Sequence, residues 1–118
     1  MLTIKRTCTN KIITRALQLE GQPLIAILCP GADDCIPCDN EDQLLELLEK
    51  NPGAMIVYNQ HADAIKLINQ LQGPPDQVFI EIRQDTKGVL GLQAVHWINA
   101  GQEPLELDYL QDPSVTNL

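Results

Sequence analysis

The sequence predicts a single α/β domain over residues 1–118, and three observations carry that prediction. The 118 residues are 44% hydrophobic, enough for one core and too short for two. Residues 24–28 and 54–58 are apolar runs without alternation, which marks strands covered on both faces. After them, Leu44, Leu45, Leu47 and Leu48, and then Ala64, Ile65, Leu67, Ile68 and Leu71, recur at helical spacing.

In chain order, residues 2–8 set Leu2, Ile4, Arg6 and Cys8 against Thr3, Lys5 and Thr7, the period of a half-buried strand. Thr9-Asn10-Lys11 reads as a tight turn, and residues 12–19 resume with Ile13, Leu17 and Leu19 on one face. Gly21-Gln22-Pro23 breaks the chain before the strand at 24–28, so the first three strands are expected as an antiparallel meander. A helix over 41–50 follows. Asp39 or Asn40 caps it, Asp42 or Gln43 completes a capping box, and Glu41 and Asp42 complement the macrodipole. Asn51-Pro52-Gly53 stops it. Asn59 is the expected cap of the second helix, which Gly73 and two prolines end. Residues 78–82 form a strand carrying Glu81, 84–88 a hairpin loop, and 89–98 the returning strand with Gly91 at a bulge. Residues 99–104 read as a loop. Leu105, Leu107 and Tyr109 then alternate with Glu106 and Asp108 as an edge strand.

The expected order is β-β-β-α-β-α-β-β-β, a mixed sheet with two helices and parallel central strands, the third to the fifth. Ligand sites then lie at the carboxyl ends of those strands, where residues 29–38, Tyr58-Asn59-Gln60-His61 and Arg83-Gln84-Asp85 would meet. Two helices leave one sheet face thinly covered, so a homodimer through that face or through the 105–109 edge is an expectation.

Composition excludes several function classes. A net charge of −8 argues against nucleic acid, whose phosphates are neutralised by Lys and Arg. Four aromatic residues are too few for a base-stacking platform. No apolar run approaches the ~20 residues that cross a bilayer. Residues 1–7 carry charges and no apolar block follows, so no export signal and a cytoplasmic location are expected. Thiols stay reduced there, and four cysteines read as free thiols, metal ligands or a redox pair. No glycine-rich phosphate loop is present, and neither His61 nor His96 has a Ser or Asp at triad spacing.

Residues 29–38, Cys-Pro-Gly-Ala-Asp-Asp-Cys-Ile-Pro-Cys, concentrate the chemistry. Cys35-Ile36-Pro37-Cys38 stands ahead of the first helix, where a helix N-terminus lowers a thiol pKa. Over residues 24–98 the order strand, Cys-x-Pro-Cys, helix, strand, helix, proline, hairpin resembles the thioredoxin family. The resemblance implies a dithiol oxidoreductase, with Cys35 attacking, Cys38 resolving and Pro75 in the place of the family's cis-proline. The chain departs from the family at Asp34, where a tryptophan is usual, and in its expected N-terminal hairpin. Cys29, Cys35 and Cys38 with His61 also suit a closed structural zinc site. Cys-x₅-Cys-x₂-Cys suggests the [2Fe–2S] cluster of adrenodoxin-like ferredoxins, but no fourth cysteine follows Cys38. The order of elements also resembles the ribonuclease H fold, whose nucleases need a carboxylate in the opening strand. Residues 2–8 contain none.

The leading expectation is therefore a small acidic cytoplasmic domain without catalytic activity or cofactor. It would bind another protein, a basic one, or act as an accessory subunit. The dithiol oxidoreductase and the zinc site are the alternatives.

Overall fold

The computed structural model describes residues 4–29, 31–71, 77–98 and 101–104. It corrects the sequence expectation first at the N-terminus, where the predicted hairpin is a helix, α1 (Arg6–Gln18). Cys8, Thr9, Ile12 and Ile13 are its buried residues, a stripe at helical spacing. Leu17, which strand alternation places inside, is 52% exposed. Ile12, Ile13 and Thr14 are β-branched and weaken a helix by a few tenths of a kcal/mol each, roughly. Burying a large aliphatic side chain contributes about 1.5–3 kcal/mol, so the packed stripe overrides the local preference. The Thr9 hydroxyl donates to the Lys5 carbonyl at 3.2 Å, which satisfies it inside the helix.

β1 (Ile25–Leu28) is buried throughout. The chain turns after it, with the Ala32 N–H donating to the Cys29 carbonyl at 3.0 Å and Gly31 at φ +79°. It returns as β2 (Ile36–Pro37), a two-residue strand antiparallel to β1. α2 (Glu41–Lys50) follows with the predicted bounds. Asn40 caps it, accepting the Gln43 N–H at 2.8 Å, while the Gln43 side chain accepts the Asp39 N–H at 2.7 Å. β3 (Met55–Tyr58) is buried, and α3 (Ala62–Gln70) packs Ala64 and Ile68 inward. Its cap is His61, whose Nδ1 accepts the Asp63 N–H at 3.1 Å. The expected cap, Asn59, instead accepts the Leu24 N–H at 3.1 Å and donates to the Gln22 carbonyl at 2.8 Å. β4 (Phe79–Gln84) and β5 (Leu90–Ile98) form the predicted hairpin. Their register runs unbroken from Phe79 opposite Val95 to Gln84 opposite Leu90, so Gly91 marks no bulge. β6 (Gly101–Pro104) pairs with β5 where a loop was expected. The predicted strand at 105–109 lies outside the described residues.

Among the described residues the sheet has six strands in the order β2-β1-β3-β4-β5-β6. β3 and β4 are parallel neighbours; β1 and β3 are antiparallel, which corrects the expected parallel core. The reason is β2. It reverses the chain, so the strand–helix–strand unit is β2-α2-β3, two parallel strands with β1 inserted between them. The observed order is α-β-β-α-β-α-β-β-β, with three helices instead of two.

The sheet is sandwiched. Cys8, Ile12 and Ile13 of α1 pack with Leu24, Leu28, Val57, Ile80 and Leu92 on one face. Leu44 of α2 and Ala64 and Ile68 of α3 pack with Ile27, Ile56, Phe79 and Val95 on the other. Strands covered on both faces read as the continuous apolar runs seen at 24–28 and 54–58. α1 thereby covers the face that a two-helix fold leaves bare, which removes the stated reason for dimerisation through it. Among the described residues no helix is long and apolar enough to cross a membrane.

Candidate functional site

The predicted thiol site is divided by the fold. Cys35 and Cys38 flank β2 instead of opening a helix, since the α2 cap is Asn40. Strand alternation sends their side chains to opposite faces. Cys35 packs against the cluster of α1 and Cys8. Cys38, with Cys29, packs against the cluster of α2 and α3. All four cysteines are free thiols. Burial and then the charge of Asp39 push Cys38 up to about 11, and burial pushes Cys8 up to about 11. Burial and then Asp34 raise Cys35 as well. The thiolate that the thioredoxin resemblance requires at Cys35 is disfavoured, not stabilised.

His61 does not join the cysteines. Because β1 and β3 are antiparallel, Cys29 adjoins the start of β3 while His61 follows its end. Four strand residues, about 13 Å, lie between. Among the described residues no group of three or more His, Cys, Asp or Glu side chains is placed to hold a metal ion.

Of the three stretches expected to converge, two do. The ends of β3 and β4 run side by side and build a buried polar network around Glu81, which is fully buried. Its carboxylate accepts from the Tyr58 hydroxyl at 2.6 Å, the Arg83 Nε at 2.6 Å and the Gln60 amide at 3.1 Å. The Trp97 indole donates to the Tyr58 oxygen at 2.8 Å, and Arg83 donates to Gln93 at 2.6 Å. Burial and then the bond to Glu81 raise the Tyr58 pKa, so its hydroxyl remains protonated. Among the described residues every buried side-chain N or O has a partner. A carboxylate engaged this fully locks β3, β4 and β5 together and leaves little capacity for a substrate. Sequence reading noted Glu81 without the network. Its signal is an acid at an inward position of an apolar strand, with Arg83 two residues on, on the same face.

Charge is unevenly distributed between α1 and α2. Lys5, Arg6, Lys11 and Arg15, half of the eight Lys and Arg residues, lie on or just before α1, which carries no acid. Lys5 pairs with Asp33 at 3.1 Å. α1 and β2 bound a groove of about 630 Å³, whose walls include Lys11, Arg15, Asp34, Cys35 and Pro37. Across the sheet, residues 39–50 hold Asp39, Glu41, Asp42, Glu46 and Glu49 against Lys50 alone. Asp42, Leu45, Glu46 and Glu49 stand at i, i+3, i+4 and i+7, one face of α2. Leu45 is 44% exposed at its centre. Ile36, 40% exposed, has the strand parity of Cys38 and so faces the same side as α2.

Comparison with models of protein families, with curated proteins and with solved structures finds no match.

Proposed function

We propose that this chain is a non-catalytic protein-binding domain that docks a basic segment of another protein on the outer face of α2. The observation that carries the reading is the carboxylate row Asp42, Glu46 and Glu49 around exposed Leu45. Like charges at these spacings destabilise a helix by about 0.2–0.5 kcal/mol per pair. Lys50 offsets one of them, bonding Glu46 at 2.8 Å. An apolar centre with a charged rim is the anatomy of an interface, and the uniform sign selects a cationic partner and speeds its approach. Four free thiols fit a reducing compartment such as the cytoplasm.

The test compares partners captured by the full chain and by Asp42→Lys/Glu49→Lys, both positions being exposed. A partner retained by the first and lost by the second is expected, with an association rate that falls steeply as salt rises. Equal retention by the two proteins, or a rate indifferent to salt, overturns the reading.

A further inference from the structure

Independently of α2, a cavity of about 310 Å³ opens at the carboxyl ends of β3 and β4, beside the C-terminal end of α1. Crevices outside the carboxyl ends of parallel strands are where α/β sheets hold ligands, and small-molecule sites begin at about 300 Å³. One wall is aliphatic, built from Leu17 of α1, Ile82 of β4 and Leu90 of β5. Leu17 is 52% exposed, so a large apolar side chain stands at the cavity rim instead of in the core. The other wall is polar and held in place by the backbone. Asn59 accepts the Leu24 N–H at 3.1 Å and the His61 N–H at 3.3 Å and donates to the Gln22 carbonyl at 2.8 Å, which ties the loop before β1 to the end of β3.

The hydrogen bonds of the lining side chains decide what the polar wall offers. Gln60 donates its amide to Glu81 at 3.1 Å, and Gln84 donates its amide to the Gly88 carbonyl at 3.0 Å. Both keep Oε1 without a partner among the described residues, and the Glu20 carboxylate has no cation among them either. His61 lines the cavity with a donor, since its Nδ1 accepts the Asp63 N–H and leaves Nε2 to carry the proton. Gln22 is free at both ends of its side-chain amide and serves either role. Among the described residues no Lys or Arg lines the cavity. Arg83 lies on the opposite face of β4, bonded to Glu81 and Gln93, and Arg15 lines the groove toward β2. The cavity therefore joins one negative charge and uncommitted oxygens to an aliphatic wall. Glu20, Gln60 and Gln84 supply an acceptor for each of the three N–H donors of an ammonium group.

We propose that this cavity binds a primary alkylammonium ion. Its N–H groups are shared among Glu20, Gln60 and Gln84, and its stem lies against Leu17, Ile82 and Leu90. The bond from Gln60 to the buried Glu81 carboxylate gives the network behind the cavity a part in the site, because it fixes one of the three acceptors before the ligand arrives.

Titration of the full chain with n-butylammonium, followed by amide and methyl NMR shifts, tests this. Saturable shifts are expected at Leu17, Gln22, Gln60, Gln84 and Leu90, in the millimolar range that suits a ligand of a few atoms. n-Butyltrimethylammonium has the same charge and stem but no N–H, and is expected to bind about tenfold more weakly or worse. Glu20→Gln and, separately, Gln84→Leu are expected to weaken n-butylammonium about tenfold, with unchanged thermal unfolding because both side chains are exposed. A short peptide with one internal lysine separates two sources of the same group. Binding equal to that of the free amine assigns the site to a lysine of another protein, exclusion assigns it to a free amine, and both support the proposal. Shifts absent from these residues, or confined to the carboxylates of α2, overturn it. So does equal binding of n-butyltrimethylammonium, or a folded Glu20→Gln variant that binds as the wild type does.

Discussion

Replacing Glu81 by Ala isolates the contribution of the one carboxylate that is fully buried among the described residues. The substitution removes three hydrogen bonds, from Tyr58, Arg83 and Gln60. The orphaned donors differ in their access to water. Gln60 is exposed and rehydrates. Arg83, 27% exposed at its side chain, rehydrates in part. The Tyr58 hydroxyl is fully buried and keeps its contact with Trp97. Breaking one partner of a buried charged pair costs about 3–5 kcal/mol, a large share of the ~5–15 kcal/mol that stabilises a domain. With a urea dependence of about 1–3 kcal/mol per molar, the midpoint should fall by roughly 2 M with an unchanged slope. Tyr58→Phe keeps the ring stacked edge-on to Trp97 at 5.9 Å and loses the hydroxyl, for about 1–3 kcal/mol. Tyr58→Phe/Glu81→Leu/Arg83→Leu removes the carboxylate together with its cation and the tyrosine hydroxyl and should cost less than Glu81→Ala alone, because no charge is left unpaired. Urea titration of the three variants decides it. A loss below about 1 kcal/mol for Glu81→Ala, or a triple variant less stable than the single one, refutes a network that holds three strands together.

Three further outcomes follow from the same structure. Cys38 and Cys8, held near 11 against 9.0 when unfolded, contribute fully below pH 9. Between pH 9 and 11 the unfolded chain loses thiol protons that the folded chain keeps, so urea midpoints should fall across that window, and less so in Cys38→Ser; at pH 8, Cys38 should alkylate about a hundredfold more slowly folded than unfolded. Ile12→Ala should cost about 2–4 kcal/mol and Leu17→Ala less than about 0.5, and the reverse order would restore the strand phase for residues 12–19. Asn40→Ala should cost about 1 kcal/mol by removing the 2.8 Å cap of α2, and no change in the thermal midpoint would contradict the cap.

The elements with their own punctuation were legible. α2 was readable to the residue because capping side chains precede it and a proline–glycine pair follows it. The β4–β5 hairpin was readable because polar turn residues separate two apolar runs. α1 was not, because its β-branched residues fit both a period of two and a helical stripe, and only packing against the sheet decides between them. β2 was invisible for a different reason: two residues carry no period. That omission propagated, since without β2 the rule for strand–helix–strand units pairs β1 with β3 in parallel. Reversing β1 also sets Cys29 beside the start of β3, away from His61, while Cys38 bonds Ile25 in the row of Tyr58. The stretches at 58–61 and 83–85 do lie side by side, because β3 and β4 run in parallel.

Hydrogen exchange of the full chain, free and saturated with the basic protein it captures, tests most directly whether α2 is the docking surface. Added protection should concentrate in residues 39–50 and at Ile36, and leave residues 6–18 unchanged. Protection centred on α1, or on the ends of β3 and β4 around Glu81, would contradict a binding face on α2.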